Sequence, residues 1–171
     1  MSLRRVSIMK AYLDVDIVSA IMKGDNLSEY NAIERLLTAF DQGKIELYTS
    51  QVTHDGIKSC QGTARAQLER VFRIARRIPI APWDLLAGIN IQGDRPAVFN
   101  APLTQSETTH DALLKLNVQE ADAQHVLAAA KESFGCFLTV QRGSLCHAAE
   151  IKALCGVDVQ KPSDFIAKKG W

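Results

Sequence analysis

A chain of 171 residues with 47% apolar and 23% charged residues has the composition of an ordinary globular domain and is long enough to bury a full core. Its net charge of +1 excludes attraction of nucleic acid by a global positive field, and no apolar run is long enough to span a bilayer. The basic N-terminus lacks the apolar stretch of a signal peptide, so we expect a cytoplasmic protein without membrane partners.

The cysteine pattern favours a reducing compartment. Cys60, Cys136, Cys146 and Cys155 show no CxxC spacing, and small buried thiols are typical of cytosolic proteins. A zinc site would need His147 and two or three of these cysteines to converge.

The first part of the chain alternates short apolar runs with helical patterns. VSIMKAYL predicts a buried strand that ends at Asp14, and IVSAIMKG predicts a short helix after it. Ser28 is predicted to be the N-cap of the next helix, which Gly43 ends. KIELYT predicts a second strand, and SQVTHDGIKSC predicts the start of a helix that carries Asp55.

The next segment, TARAQLERVFRIARRIPI, predicts an amphipathic helix with five arginines. Arg70, Arg73 and Arg77 fall on the face opposite to the apolar stripe. This face is either the solvated side of the helix or a surface that contacts phosphates, since the guanidinium fork matches phosphate oxygens.

Residues 79–104, with four prolines and two glycines, predict a long irregular segment within a single domain that spans residues 1–171. Helix resumes in TQSETTHDALLKL, and Asp122 lies near the start of the alanine-rich helix EADAQHVLAAA. GCFLTV predicts a strand that ends at Thr139, and SLCHAAEIKALCG predicts a helix that Gly156 ends. VDVQKP predicts a final strand, and SDFIAKKG a closing helical turn.

Alternation of strands and helices predicts an α/β fold, with a central, mainly parallel sheet in a three-layer α/β/α arrangement. The carboxyl ends of parallel strands share one edge, so Asp14 and Thr139 are expected there, and Asp55 and Asp122 can reach it from adjacent helices. Three converging carboxylates suit Mg²⁺ or Mn²⁺, which prefer oxygen ligands. The pattern therefore predicts metal-dependent cleavage of a phosphodiester.

The order of these motifs resembles the PIN (PilT N-terminus) domain family. AYLDVDIVSAI is similar to its opening block, IELYTSQVTHDGI to its second, DAQHVLAAAKESFGCFLTVQRGSL to its third and GVDVQKPSDFI to its ending. The resemblance implies a PIN-like fold and a Mg²⁺- or Mn²⁺-dependent ribonuclease acting on RNA, many members being toxins of VapC-type toxin–antitoxin pairs. It also implies an antitoxin partner and a homodimer. By motif, Asp14, Asp55 and Asp122 would bind metal in catalysis, with Thr139 as the strand-ending hydroxyl.

The chain departs from the family pattern at three points. Gln141 stands where a fourth acid is usual, Val15 and Asp16 replace a common threonine and asparagine, and Asp55 replaces a glutamate. Gln141 offers an oxygen without charge, and we assign it, with the three arginines, to substrate binding. Asp16 is a further candidate metal ligand, because residues two apart on an extended segment face the same side.

Two other functions are consistent with the sequence. The departure at Gln141 favours a PIN-fold RNA- or protein-binding module with a degenerate, inactive metal site. LDVDIV also resembles the opening of haloacid-dehalogenase-type phosphatases, in which Asp14 would be the nucleophile, Asp16 the acid/base and Thr49 or Ser50 the second motif. Those enzymes need a later acidic pair, which FLTVQRG does not provide.

Overall fold

A computed structural model describes residues 8–14, 17, 27–49 and 105–171. Within these ranges the chain forms an α/β fold with four strands in one sheet and six helices. The strands are β1 (Met9–Leu13), β2 (Ile45–Tyr48), β3 (Cys136–Leu138) and β4 (Asp158–Gln160). The helices are α1 (Leu27–Asp41), α2 (Gln105–Lys115), α3 (Glu120–Lys131), α4 (Arg142–Cys146), α5 (Ala148–Cys155) and α6 (Pro162–Lys169).

Several predicted elements lie outside the described residues. They are the short helix IVSAIMKG, of which only the buried, helical Ile17 is described, the helix start that carries Asp55, the arginine helix and the irregular segment 79–104.

The sheet is parallel throughout, in the order β2-β1-β3-β4. Tyr12 of β1 pairs with Tyr48 on one side and with Phe137 on the other, and Phe137 pairs in turn with Val159. The prediction of a parallel sheet is therefore confirmed, and all four strands end at the same edge.

Two hydrophobic cores cover the two faces of this sheet. Successive residues of a strand point to opposite faces, so Ala11 and Leu13 enter the first core, while Tyr12 enters the second. The first core is completed by α1 and α6, and the second by α2, α3 and α5. Helices on both faces of the sheet make the three-layer arrangement that the alternating sequence predicts.

Helix α1 forms because apolar residues recur at helical spacing and bury one face. Ile33, Leu36 and Leu37 are all buried in the first core. Ser28 lies inside the helix, which begins at Leu27, so the prediction of Ser28 as N-cap is wrong. Gly43, with φ +69°, adopts the left-handed conformation in the turn after the helix, as its position predicts.

The predicted helix SLCHAAEIKALCG is two helices. His147, with φ −112° and ψ 21°, departs from helical geometry and separates α4 from α5. Gly156, with φ +76°, ends α5 as predicted. No helix in the described ranges is long and apolar enough to cross a bilayer.

Candidate functional site

The carboxyl edge of the sheet brings together residues from β1 and β3. Asp14 directly follows β1, and its backbone N–H donates to the carbonyl of Leu138, the last residue of β3, at 3.0 Å. Thr139 follows Leu138, and its own N–H donates to the carbonyl of Gln160 at the end of β4, also at 3.0 Å. The parallel ladder thus continues past the strands and places Asp14 beside Thr139.

A buried hydrogen bond joins these two side chains. The hydroxyl of Thr139 donates to Oδ2 of Asp14 at 2.7 Å, and both residues are 0% exposed. The backbone N–H of Gln141 donates to the same hydroxyl oxygen at 2.9 Å. Thr139 therefore accepts one hydrogen bond and donates the other, so the direction of its O–H is set. The Thr139 hydroxyl therefore holds the carboxylate of Asp14 in one orientation after the end of β1.

Asp122 is the second buried carboxylate of this region. It lies in the first turn of α3, where the partial positive charge of the helix N-terminus favours an anion. The hydroxyl of Ser144, a fully buried residue of α4, donates to Oδ2 of Asp122 at 3.3 Å. Asp122 is 6% exposed, so its carboxylate is almost as shielded from solvent as that of Asp14.

Helix α3 is held against β1 by a contact in the second core. The phenol oxygen of Tyr12 lies 2.8 Å from Nδ1 of His125, and the Tyr12 ring stacks on Phe137 with ring centroids 5.6 Å apart. Tyr12 is fully buried. This contact sets the position of α3 along the direction of β1.

The Tyr12–His125 contact relates the position of Asp122 on α3 to that of Asp14 after β1. Helix α3 leads into β3 through the short turn 132–135, so it runs antiparallel to the strands. Asp14 lies two residues beyond Tyr12, about 6.6 Å along the strand, on the same face of the sheet. Asp122 lies three residues before His125, about 4.5 Å along the helix in the same direction. Both carboxylates are therefore carried towards the carboxyl edge on the face of the second core.

Thr49 extends the same edge on the other side of β1. It follows β2, is buried, and its hydroxyl donates to the carbonyl of Leu13 at 3.3 Å. This contact closes the end of the sheet beside Asp14 without reaching a carboxylate.

Of the predicted site residues, the structure brings Asp14 and Thr139 into direct contact. It places Asp122 on the same face and leaves Gln141, half-buried, next to Thr139. Asp55, Asp16 and the predicted substrate-binding arginines Arg70, Arg73 and Arg77 lie outside the described residues.

No group of three or more histidine, cysteine or acidic side chains that could hold a metal ion occurs in the described ranges. These ranges contain only two of the four predicted metal ligands, Asp14 and Asp122. The described ranges do not support a zinc site at His147 either, because no such group forms around it there. Cys136 lies in the first core and Cys155 packs against the second, on opposite faces of the sheet.

Two residues of the site do not appear among the sequence predictions. The sequence patterns place Ser144 only at the start of a helix and Tyr12 only within an apolar run. The hydroxyl of Tyr12 in a strand expected to be buried is a local signal, because a buried phenol needs a hydrogen-bond partner. Ser144 carries no such signal, since its partner Asp122 is 22 positions away.

Comparison with known proteins adds no identification: no family model, curated protein or solved structure matches this chain. The PIN-domain resemblance stays a prediction that rests on the quoted motifs.

Proposed function

We propose that this protein is a Mg²⁺- or Mn²⁺-dependent endoribonuclease that hydrolyses RNA phosphodiester bonds at the carboxyl edge of its sheet. One observation carries the proposal. Asp14 and Asp122 are buried carboxylates on one face of the sheet, and each accepts a hydrogen bond from a buried hydroxyl, of Thr139 and Ser144.

The donor set fits a hard divalent cation. Asp14 and Asp122 supply carboxylate oxygens, which Mg²⁺ and Mn²⁺ prefer over nitrogen or sulfur. Burying two carboxylates costs several kcal/mol of desolvation in each case unless positive charge and hydrogen bonds compensate. A cation bound by both would offset that cost. Asp55, from the PIN-like motif, and Asp16, two residues after Asp14, are the further candidate ligands.

Each residue has a distinct role in the proposed reaction. A bound cation would polarise the scissile phosphate and lower the pKa of the attacking water. Asp14 and Asp122 would hold the cation, and Thr139, which donates to Asp14, would keep that carboxylate in one orientation. Gln141, half-buried beside Thr139, would donate its amide to a phosphate oxygen, and we assign Arg70, Arg73 and Arg77 to the RNA backbone.

The biological setting that we propose is a cytoplasmic toxin with an antitoxin partner. A homodimer is implied by the same resemblance, and the apolar residues of the α1 sequence permit it. Ile33, Leu36 and Leu37 are buried in the first core, so a dimer would have to use a different surface.

Cleavage of single-stranded RNA in the presence of Mn²⁺ tests the function. Asp14→Asn and Asp122→Asn should each lower the rate by about 100-fold or more, because several kcal/mol of transition-state stabilisation depend on the cation. Asp164→Asn is the matched control, since Asp164 is an exposed acid in the first turn of α6, as Asp122 is in the first turn of α3. Equal rates for wild type and both site variants would contradict the proposal.

One observation favours a second function, a non-catalytic RNA- or protein-binding module. Gln141 stands at the position of an expected acid, so the site carries less negative charge than a full set of acids would provide. Isothermal titration with Mn²⁺ separates the two functions. Binding at millimolar or lower metal, lost in Asp14→Asn, supports the nuclease, and no binding by wild type supports the module.

A further inference from the structure

One short connector contacts both buried carboxylates. Residues 139–144 run from the end of β3 to the third residue of α4. They contain Thr139, which donates to Asp14, and Ser144, which donates to Asp122. Between them, the backbone N–H of Gln141 donates to the Thr139 hydroxyl, and the carbonyl of Gln141 accepts from the N–H of Leu145 at 3.1 Å. The two acids come from different elements, but their hydroxyl donors belong to one continuous segment.

We propose that Ser144 is a positioning residue that orients the carboxylate of Asp122 for binding a divalent cation. Connector 139–144 would then hold the two metal-binding carboxylates at a constant separation. The inference rests on the proposed function, because it assigns Ser144 a role towards the same cation.

The environment of Ser144 favours this role. A serine in a helix commonly returns its hydroxyl to a carbonyl of its own preceding turn. Ser144 is fully buried and donates instead to a carboxylate on another helix. The carboxylate of an aspartate takes a broad range of values of its terminal torsion, χ2. A hydrogen bond to Oδ2 therefore restricts the orientation of the carboxylate.

The backbone of Ser144 is anchored, so its hydroxyl has a defined position. The carbonyl of Ser144 accepts from the N–H of His147 at 3.3 Å, and the carbonyl of His147 accepts from the N–H of Ile151 at 2.9 Å. Ile151 is fully buried in the second core. A hydroxyl whose backbone is held by such hydrogen bonds can orient a metal ligand, as hydrogen-bond partners of metal ligands generally do.

The alternative is that Ser144 is only a buried hydroxyl satisfied by the nearest acceptor. Ser163 provides a matched control for that alternative. Its hydroxyl donates at 2.5 Å to Oε1 of Glu29, a buried carboxylate between α1 and α6 on the opposite face of the sheet. Ser163→Ala therefore removes the same type of hydrogen bond from a carboxylate outside the candidate site.

Mn²⁺ titration of the full chain by calorimetry, together with thermal unfolding, tests the inference. Removing a hydrogen-bond partner of a metal ligand typically weakens metal binding about 10–100-fold, so we expect at least a tenfold rise in Kd for Ser144→Ala. Ser144→Thr keeps the hydroxyl and should stay within about threefold of the wild-type Kd. Ser163→Ala should lower Tm to a similar extent and leave the Kd unchanged.

The outcomes separate this inference from the proposed function. A wild-type chain that binds no Mn²⁺ would overturn both. Wild-type binding with an unchanged Kd in folded Ser144→Ala would overturn the positioning role and leave the nuclease standing. If Ser144→Ala does not fold, Ser144→Cys fills nearly the same volume with a weaker donor, and an unchanged Kd in that variant would overturn the role equally.

Discussion

The hydroxyl of Thr139 donates a 2.7 Å hydrogen bond to Oδ2 of Asp14 across 125 positions of the chain, and both side chains are fully buried. The bond exists because β1 and β3 are adjacent and parallel, so the residues after their ends are neighbours. The pairing of β1 with β3 therefore also orients the Asp14 carboxylate of the candidate site.

Thr139→Val should destabilise the protein by about 1–3 kcal/mol, because it keeps the side-chain shape but removes the donor to a buried carboxylate. It also removes the acceptor of the Gln141 N–H. Urea unfolding measures the loss. Thr38→Val is the control, since the exposed Thr38 hydroxyl only returns to the carbonyl of Glu34, and it should cost less than about 0.5 kcal/mol. Equal losses in the two variants would contradict the role of Thr139.

Tyr12→Phe should lower the free energy of unfolding by about 1 kcal/mol, the usual net value of a hydrogen bond. The substitution removes the contact with Nδ1 of His125 and keeps the ring that stacks on Phe137. Tyr48→Phe on the neighbouring strand is the control, because its hydroxyl bonds only to Glu46, two residues away on the same strand. If Tyr12→Phe unfolds at the same urea concentration as wild type, the contact does not fasten α3 to β1.

Glu29→Gln should destabilise the packing of α1 against α6. The Glu29 carboxylate is buried and accepts from the N–H and the hydroxyl of Ser163, in the first turn of α6. Loss of its charge weakens both bonds and the interaction with the helix N-terminus, so we expect a cost of about 1–3 kcal/mol in denaturant unfolding. Glu34→Gln, at an exposed position of α1, should be close to neutral. A neutral Glu29→Gln would contradict this account.

Gln141→Asp should strengthen Mn²⁺ binding by adding a charge beside Thr139, where the PIN-like motif has an acid. The Coulomb energy of unit charges about 4 Å apart in water is about 1 kcal/mol and doubles for a divalent cation, so the gain should be on the order of 2 kcal/mol, or about 30-fold in Kd. Calorimetric titration measures it. Gln42→Asp, in the exposed turn after α1, adds the same charge elsewhere and should leave the Kd unchanged. An unchanged Kd in Gln141→Asp would place residue 141 outside the cation site.

Stability should fall with rising pH because of Cys136. Burial, with a smaller contribution from the charge of Asp158, raises the pKa of its thiol from 9.0 to about 12. The native state then keeps a proton that the unfolded state loses. The contribution of this thiol to the free energy of unfolding is complete below pH 9. It decreases as the pH rises towards 12, by up to about 1.4 kcal/mol per pH unit. Urea unfolding between pH 8 and 10.5 should show a shallower decline in Cys136→Ala than in wild type. Parallel declines would contradict the burial argument.

The order of the described elements and the edge of the sheet that carries the candidate site could be predicted from the sequence because both depend on local patterns. Apolar residues at spacing two or four define β1 and α1, and Gly43 and Gly156 end their helices through a conformation that glycine adopts most easily. The positions of Asp14 and Thr139 at the carboxyl edge follow from the same patterns, since each residue directly follows a readable strand.

Only the tertiary structure decided which side chains meet. The order β2-β1-β3-β4, the seating of Tyr12 against His125 and the contact of Ser144 with Asp122 join distant parts of the chain. Such contacts depend on how helices and strands pack, and packing is a property of surfaces that form only after the elements exist. Local patterns therefore predicted where Asp14, Asp122 and Thr139 lie along the elements, whereas folding decided that Thr139 and Ser144 donate to the two carboxylates.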